Sequence, residues 1–398
     1  MRYYLKYLKG DPVIWMIVIL LMSFSLVTVY SFVPVLVKIE GGTPFYYLAK
    51  HLVYVVLGFA SMFTLHRINA KYIYQISKFA YYLAIGLLLF TMFFGINVNG
   101  ADRWIRIPFI GLTFQSSDFA KLALLMYLSQ LLVKKEKYFD DWKEGVLPVL
   151  APIVVICLLI LKDNLSTAVM LFMLSFILLF IGRFPWKKLA VIFMSVALLG
   201  LLLVTVHKAF PDLNLLSRYD TWEARFERKY LQGPASVEFD ISNAQANNAK
   251  LAIYNGSVTG QGVGDGKLKG YIPEAYADFY FASFIEEFGS ISAFFLMFLY
   301  MVLLLRIIRV ALKTDVLFES YICLSIGIHL LLQTSINMLV CTGLLPVTGQ
   351  NMPFLAMGGS ALIMACISIG IVQSIAKKNN KLTSTVTSFD LNEDEGKN

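Results

Sequence analysis

The chain has 398 residues, 58% of them hydrophobic and 15% charged, with a formal net charge of +8. Soluble domains carry roughly 25% charge, so an ordinary soluble protein is excluded and length counts membrane spans rather than globular domains. The positive balance does not point to nucleic acid, because no basic-aromatic recognition motif accompanies it and much of the charge lies in short loops between apolar runs.

Taken in order, about ten apolar stretches approach the roughly 20 residues needed to cross a bilayer. They fall at 13–36, 47–65, 77–96, 117–134, 146–162, 165–182, 188–207, 282–306, 316–341 and 354–375. The first has a basic flank (Arg2, Lys6, Lys9), but it is too long for a signal peptide and lacks a clear small-residue cleavage site, so it is expected to stay as a span. The loops bearing Arg67 and Lys71, Lys134 to Lys143, Arg183 to Lys188, and Arg306 to Lys313 are basic, which places them and both termini in the cytoplasm. The fold expected is an all-α polytopic membrane domain over 1–380, with a disordered cytoplasmic tail over 381–398 that is Ser/Thr-rich and then acidic. The opposite face carries 97–116, a large extracytoplasmic loop over about 208–281 between helices 7 and 8, and 342–353. A loop that long usually has a function or is disordered.

Cys157, Cys323, Cys341 and Cys366 lie in or beside apolar runs with no CxxC, as small core residues do. His66, His207 and His329 have no metal spacing, and the absence of a Walker motif argues against an ATP-driven pump.

Charges within or at the ends of spans are costly and tend to be functional. Lys50, beside His51, reads as a snorkelling lysine or an anion contact on the outer surface. Arg103-Trp104-Ile105-Arg106 reads as an interfacial belt or as paired arginines suited to pyrophosphate. Ser117 or Asp118 can cap the fourth span, but Lys121, one turn deeper on the same face, suggests an ion pair beside a cavity. Lys162-Asp163-Asn164 reads as a capped turn. Glycine-rich 256–270 reads as a mobile segment leading through Pro273 into Asp278, which is either a capping acid of the eighth helix or a catalytic one. Glu286 and Glu287 lie too deep to be caps, so at least one should face protein or water.

Four motifs carry a family resemblance over about residues 13–375. Gly100-Ala101-Asp102-Arg103-Trp104-Ile105 with Phe114-Gln115-Ser116-Ser117-Asp118-Phe119-Ala120-Lys121 is similar to G-A-x-R-W-I…F-Q-P-S-E-x-x-K. The glycine run 256–264, followed by Ile272-Pro273-Glu274-Ala275-Tyr276-Ala277-Asp278-Phe279, is similar to G-G-L-x-G-x-G-x-G…L-P-E-A-x-x-D-F. Glu286-Glu287-Phe288-Gly289 matches E-E-x-G. Gly343 to Gly349, with Pro353-Phe354 and Gly358-Gly359-Ser360, is similar to G-L-L-P-V-T-G…P-F-x-S-Y-G-G-S. Together they resemble the SEDS (FtsW/RodA) family of bacterial elongation, division and sporulation. There are departures: Asp118 stands for Glu, Ser116 for Pro, and Ala356-Met357 for Ser-Tyr. Asn164 stands where the family usually has an acid, so either Asp163 substitutes by a one-residue shift or the acid is dispensable.

The resemblance implies a SEDS-type bundle in the cytoplasmic (inner) membrane with its active face periplasmic. It implies a peptidoglycan glycosyltransferase that polymerises lipid II by inverting transfer, with Asp278 as general base and undecaprenyl pyrophosphate as leaving group. Lys50, Arg103, Asp118, Lys121, Arg218 and Glu286 are the substrate-binding candidates. No cofactor is certain, and a divalent cation, magnesium or manganese, could share charge neutralisation with them at a site the sequence leaves unknown. The hairpin at Asn164, the Ile181–Trp186 loop and the short basic N-terminus resemble division-type members, which implies a class B penicillin-binding protein and other divisome proteins as partners. The alternatives are an elongation-type polymerase, a lipid II flippase using a polar path through Lys50, Asp118, Lys121 and Glu286, or a non-catalytic scaffold.

Overall fold

The structure is a computed structural model describing residues 8–98, 101–106, 112–210, 219, 223, 241–272 and 275–395. Helices lie over all ten apolar stretches. They are α1 (Pro12–Glu40), α2 (Pro44–Leu65), α3 (Ala70–Phe94), α4 (Ser116–Lys135), α5 (Leu147–Leu161), α6 (Leu165–Ile181) and α7 (Trp186–Ala209), then, beyond the intervening α8 (Ile241–Gly256), α9 (Tyr280–Leu312), α10 (Leu317–Cys341) and α11 (Gly359–Glu395). Among the described residues, eight helices are long and apolar enough to cross a membrane, with α4 and α6 the exceptions among the ten. The α6 helix is short, whereas α4 owes its polarity to its place at the centre of the bundle. Most of its residues are buried around the whole circumference, including Ser117, Asp118, Lys121, Ser129 and Gln130, and Gln130 Nε2 donates to the Tyr74 carbonyl at 2.6 Å. A helix sheathed by protein instead of lipid can keep polar groups that find partners. Helix α7 is the opposite case, with only Leu189 and Ile192 buried.

Local chemistry sets many boundaries. The Asp11 carboxylate accepts from the Val13 and Ile14 amides ahead of Pro12, which starts α1. Asn164 caps α6 through the Thr167 amide at 3.0 Å, as a capped turn requires. Helix α3 begins at Ala70 rather than 77, because its first turns are polar and tyrosine-rich and fall outside an apolar window. Helix α11 continues to Glu395, past the point near 380 where the tail was expected to lose structure. No glycine or proline interrupts 371–395.

Between α3 and α4 the chain forms a three-stranded antiparallel sheet, β1 (Ile96–Val98), β2 (Ala101–Arg106) and β3 (Thr113–Gln115), in the order β1-β2-β3. Its last strand runs directly into α4. The Tyr54 hydroxyl pins it to α2 by accepting from the Thr113 amide at 2.9 Å. The basic turns after α2, α4, α6 and α9 gather at one end of the bundle, joined there by Lys377 to the Arg67 carbonyl and Lys188 to the Phe139 carbonyl. The sheet, α8 and the 342–358 segment lie at the other end.

Candidate active site

Asp278 sits in the turn before α9, whose N-cap is Phe279. The turn is held by its own backbone. The Asp278 carbonyl accepts from Asn337 Nδ2 at 2.9 Å and from the Cys341 thiol at 3.9 Å, and the Tyr276 carbonyl accepts from the Met357 amide at 3.0 Å. The residue itself is only half-buried. The 342–358 segment passes beside the carboxylate at Gly349, where a β-carbon would lie 3.5 Å from Asp278 Oδ2. With φ at +69°, this position favours glycine and leaves bare backbone next to the acid. Asn337 also donates to the Gln350 carbonyl at 2.8 Å, and Gln350 Nε2 donates to Thr167 Oγ1 at 2.7 Å, so α10, α6 and the segment are locked around the turn. Phe354, buried with φ +65°, is a strained non-glycine residue further along the same segment.

The two glutamates of α9 have different surroundings. Both are buried. Glu286 Oε1 accepts from the Lys267 and Leu268 amides, each at 3.0 Å, while Oε2 has no partner. Glu287 Oε1 pairs with Lys269 Nζ at 2.7 Å and also accepts from the Ser31 hydroxyl. The Lys269 ammonium additionally donates to Ser31 Oγ (2.6 Å), the Ser31 carbonyl (3.0 Å) and the Gly264 carbonyl (3.0 Å), and it is almost fully buried. Lys269 therefore joins the glycine-rich loop to α1 and α9 together. The helix itself breaks at Gly289 (φ +79°), where a β-carbon would lie 2.4 Å from the Val258 carbonyl oxygen. Across that break the Gln261 and Gly262 amides reach the Glu286 and Glu287 carbonyls at 2.9 and 3.1 Å. The loop expected to be mobile is thus laced to the broken helix by main-chain and buried side-chain bonds.

Asp118 and Lys121 form the expected i,i+3 pair at 2.9 Å, and both are buried. Asp118 Oδ2 also accepts from the Ser360 hydroxyl at 2.9 Å at the start of α11. The pair borders a cavity of about 20 Å³, shared with His329, Gln333 and Ser368 and large enough for one water. His329, Gln333, Asn337 and Cys341 are spaced at i+4 along α10, so they form one stripe running from this cavity to the backbone of Asp278. That spacing is already present in the sequence.

Lys50 lies on the first half of α2, its ammonium 5.8 Å from the Tyr46 ring centre. Its neighbour His51 is buried, with Nε2 2.8 Å from Ser25 Oγ, which donates to the Leu355 carbonyl. Arg103 lies on β2, but its side chain falls outside the described residues, as does all of Arg218. An exposed cation the sequence reading passed over is Lys250 of α8. Its side chain packs on Gly343, with Cε 2.2 Å from where a β-carbon would stand, two residues beyond Cys341. Among the described residues no three His, Cys, Asp or Glu side chains form a metal-binding group.

Fold and site together define a polytopic helical membrane protein with one half-exposed acid held where a structured loop meets the bundle. A family model described as "Cell cycle protein" and covering FtsW, RodA and SpoVE matches residues 11–381, and the chain belongs to this family. The "Probable peptidoglycan glycosyltransferase FtsW" of Geobacter sulfurreducens is 33% identical over 378 residues, covering 93% of this chain and 96% of that one. The protein of the same description from Coxiella burnetii is 31% identical, covering 89% and 93%. In fold, the chain is similar to the rod shape determining protein RodA of Thermus thermophilus (TM-score 0.64, 22% identity, 93% of this chain and 97% of that one). It is also similar to a chain from a peptidoglycan synthase complex described as coordinating polymerization and crosslinking (TM-score 0.71, 22% identity, 93% and 98%).

Proposed function

We propose that this chain is a peptidoglycan glycosyltransferase of cell division, polymerising lipid II with Asp278 as general base. One observation carries the assignment to Asp278. Its backbone is pinned by Asn337 and Cys341, while its carboxylate stands half-exposed against the bare backbone of Gly349. In contrast, Asp118, Glu286 and Glu287 are all buried. The acid takes the proton from the 4-hydroxyl of the acceptor's N-acetylglucosamine as that oxygen attacks the anomeric carbon of the growing chain's N-acetylmuramic acid. The anomeric bond to pyrophosphate breaks, undecaprenyl pyrophosphate leaves, and the configuration inverts from α to β. A sugar hydroxyl is a weak nucleophile at neutral pH, and a positioned base is worth roughly 10²–10⁴-fold.

The leaving pyrophosphate needs positive charge where negative charge develops. Lys121 is already matched by Asp118, so its part is to hold the bundle beneath the site, and Glu286 likewise positions the loop. The exposed Lys250 joins Lys50, Arg103 and Arg218 as a contact for the pyrophosphate. Magnesium or manganese would fit a site with one carboxylate, since such ions bind through one or two carboxylates plus substrate phosphates, with Asp278 the protein ligand. The bound ion would supply charge neutralisation for the pyrophosphate. Orientation follows from the basic turns: they and both termini face the cytoplasm across ten crossings, and Asp278 faces the periplasm. A class B penicillin-binding protein, with other divisome proteins, is the proposed partner, docking on the periplasmic end to crosslink the strands this chain makes.

The test is glycan polymerisation from fluorescent lipid II by the purified chain with its partner, wild type against Asp278→Ala. Polymer from wild type and none from the variant is expected. Polymer from the variant at wild-type rate removes Asp278 from the mechanism. Movement of lipid II across liposomes by both, with polymer from neither, replaces the reading with a flippase.

A further inference from the structure

At the end of the bundle opposite Asp278, the C-terminal turns of α9 face the start of α1 and the last apolar turns of α11. Between them lies a cavity of about 390 Å³, lined by Asp11, Arg306, Arg309, Val310, Lys313, Ala376, Asn379 and Asn380. Its walls are fixed by the protein itself. Arg306 holds Asp11 Oδ2 through Nη2 at 2.6 Å and Nε at 2.9 Å. The main-chain amide and carbonyl of Asp11 are both bonded to the Gln373 side chain, at 2.7 and 2.9 Å. Asn379 and Asn380 donate to the Val310 and Gly10 carbonyls at 3.1 and 3.0 Å. Inside these walls the charged groups of Arg309 and Lys313 have no ion pair or hydrogen bond among the described residues.

A cluster of cations at this end is ordinary for a membrane protein, and several neighbours are satisfied internally. Lys188 donates to the Phe139 and Asp140 carbonyls, and Lys378 pairs with Glu319. Arg309 and Lys313 differ in lining a concavity whose one described carboxylate, Asp11, is already taken by Arg306, which leaves two positive charges without a partner among the described residues. Leu305 and Leu312, at 52% and 74% exposure, flank them on the same helix and offer apolar surface beside the cationic pocket.

We propose that this cavity binds the phosphate headgroup of an anionic phospholipid, with Arg309 and Lys313 as the phosphate contacts and the exposed leucines along the acyl chains. Bound there, the lipid bridges the ends of α1, α9 and α11. The site is independent of the catalytic reading, because none of its residues belongs to the Asp278 end.

The full chain, delipidated in detergent, would be titrated with short-chain phosphatidylglycerol, phosphatidylcholine or inorganic phosphate. Bound lipid would be read by native mass spectrometry and thermal unfolding. Phosphatidylglycerol is expected to bind once per chain and raise the unfolding temperature, with no such effect from phosphatidylcholine. An Arg309→Gln/Lys313→Gln chain should lose roughly ten- to thirtyfold in affinity, since each basic residue near the surface contributes about a factor of five. A Lys134→Gln/Lys135→Gln chain, altered at the same end but outside the cavity, should keep the affinity. Equal loss in both variants, no loss in the first, or equal stabilisation by phosphatidylcholine overturns the site. Stabilisation by inorganic phosphate as strong as by phosphatidylglycerol overturns the lipid assignment in favour of a soluble phosphate ligand.

Discussion

Asp278 and the Glu286–Glu287 pair lie within nine residues of each other at the head of one helix, yet their surroundings differ sharply. The glutamates are buried: Glu286 accepts from the Lys267 and Leu268 amides through Oε1, and Glu287 Oε1 meets Lys269 and Ser31. The Asp278 backbone carbonyl accepts from Asn337, and the residue is only half-buried. A carboxylate sealed inside the bundle is closed to a substrate, whereas one at the half-buried turn is within reach of it. Burial therefore separates these acids better than proximity along the chain does.

Five predictions test that separation, from the largest expected effect to the smallest. Asp278→Ala should cut polymerisation by roughly 10²–10⁴-fold with the unfolding temperature little changed; an activity loss that comes only with unfolding would collapse the distinction. Lys269→Met strands the Glu287 carboxylate in the interior and should cost about 3–5 kcal/mol of stability in a denaturant titration. Pairing it with Glu287→Met should restore most of that loss, and no recovery would mean the ion pair is not what fixes the loop. Gly289→Ala forces a β-carbon into a +79° backbone against the Val258 carbonyl, which should cost about 1–3 kcal/mol and loosen the loop to protease. Asn337→Ala removes both bonds that hold the Asp278 turn and the Gln350 carbonyl. It should lower kcat by about tenfold, the equivalent of one moderate hydrogen bond, with KM for lipid II less affected. Glu286→Gln keeps an oxygen for the two loop amides, so it should shift stability by only about 1 kcal/mol and leave activity within a few-fold. A loss as deep as that of Asp278→Ala would put Glu286 in the chemistry.

The fold was largely legible. Hydrocarbon-length apolar runs mark the helices, and the i,i+3 pairing of Asp118 with Lys121 and the capped turn at Asn164 follow from local spacing. The β1–β3 sheet was hidden because its strands are only three to six residues long and carry no sustained alternation. Lys269 was hidden for another reason: its partners Glu287 and Ser31 lie 18 and 238 residues away, so nothing local distinguishes it from the lysines beside it. The same holds for Lys250, whose place beside Gly343 depends on how α8 docks.

By itself the sequence determined what local rules can carry: which segments are apolar enough for a membrane, where turns are capped, and which acids stand at helix heads. Only the tertiary structure decided how deeply each acid lies and what surrounds it. Whether a carboxylate is sealed in or reachable depends on which distant segments pack over it, and that follows from how the glycine-rich loop, α1 and α10 close around the head of α9.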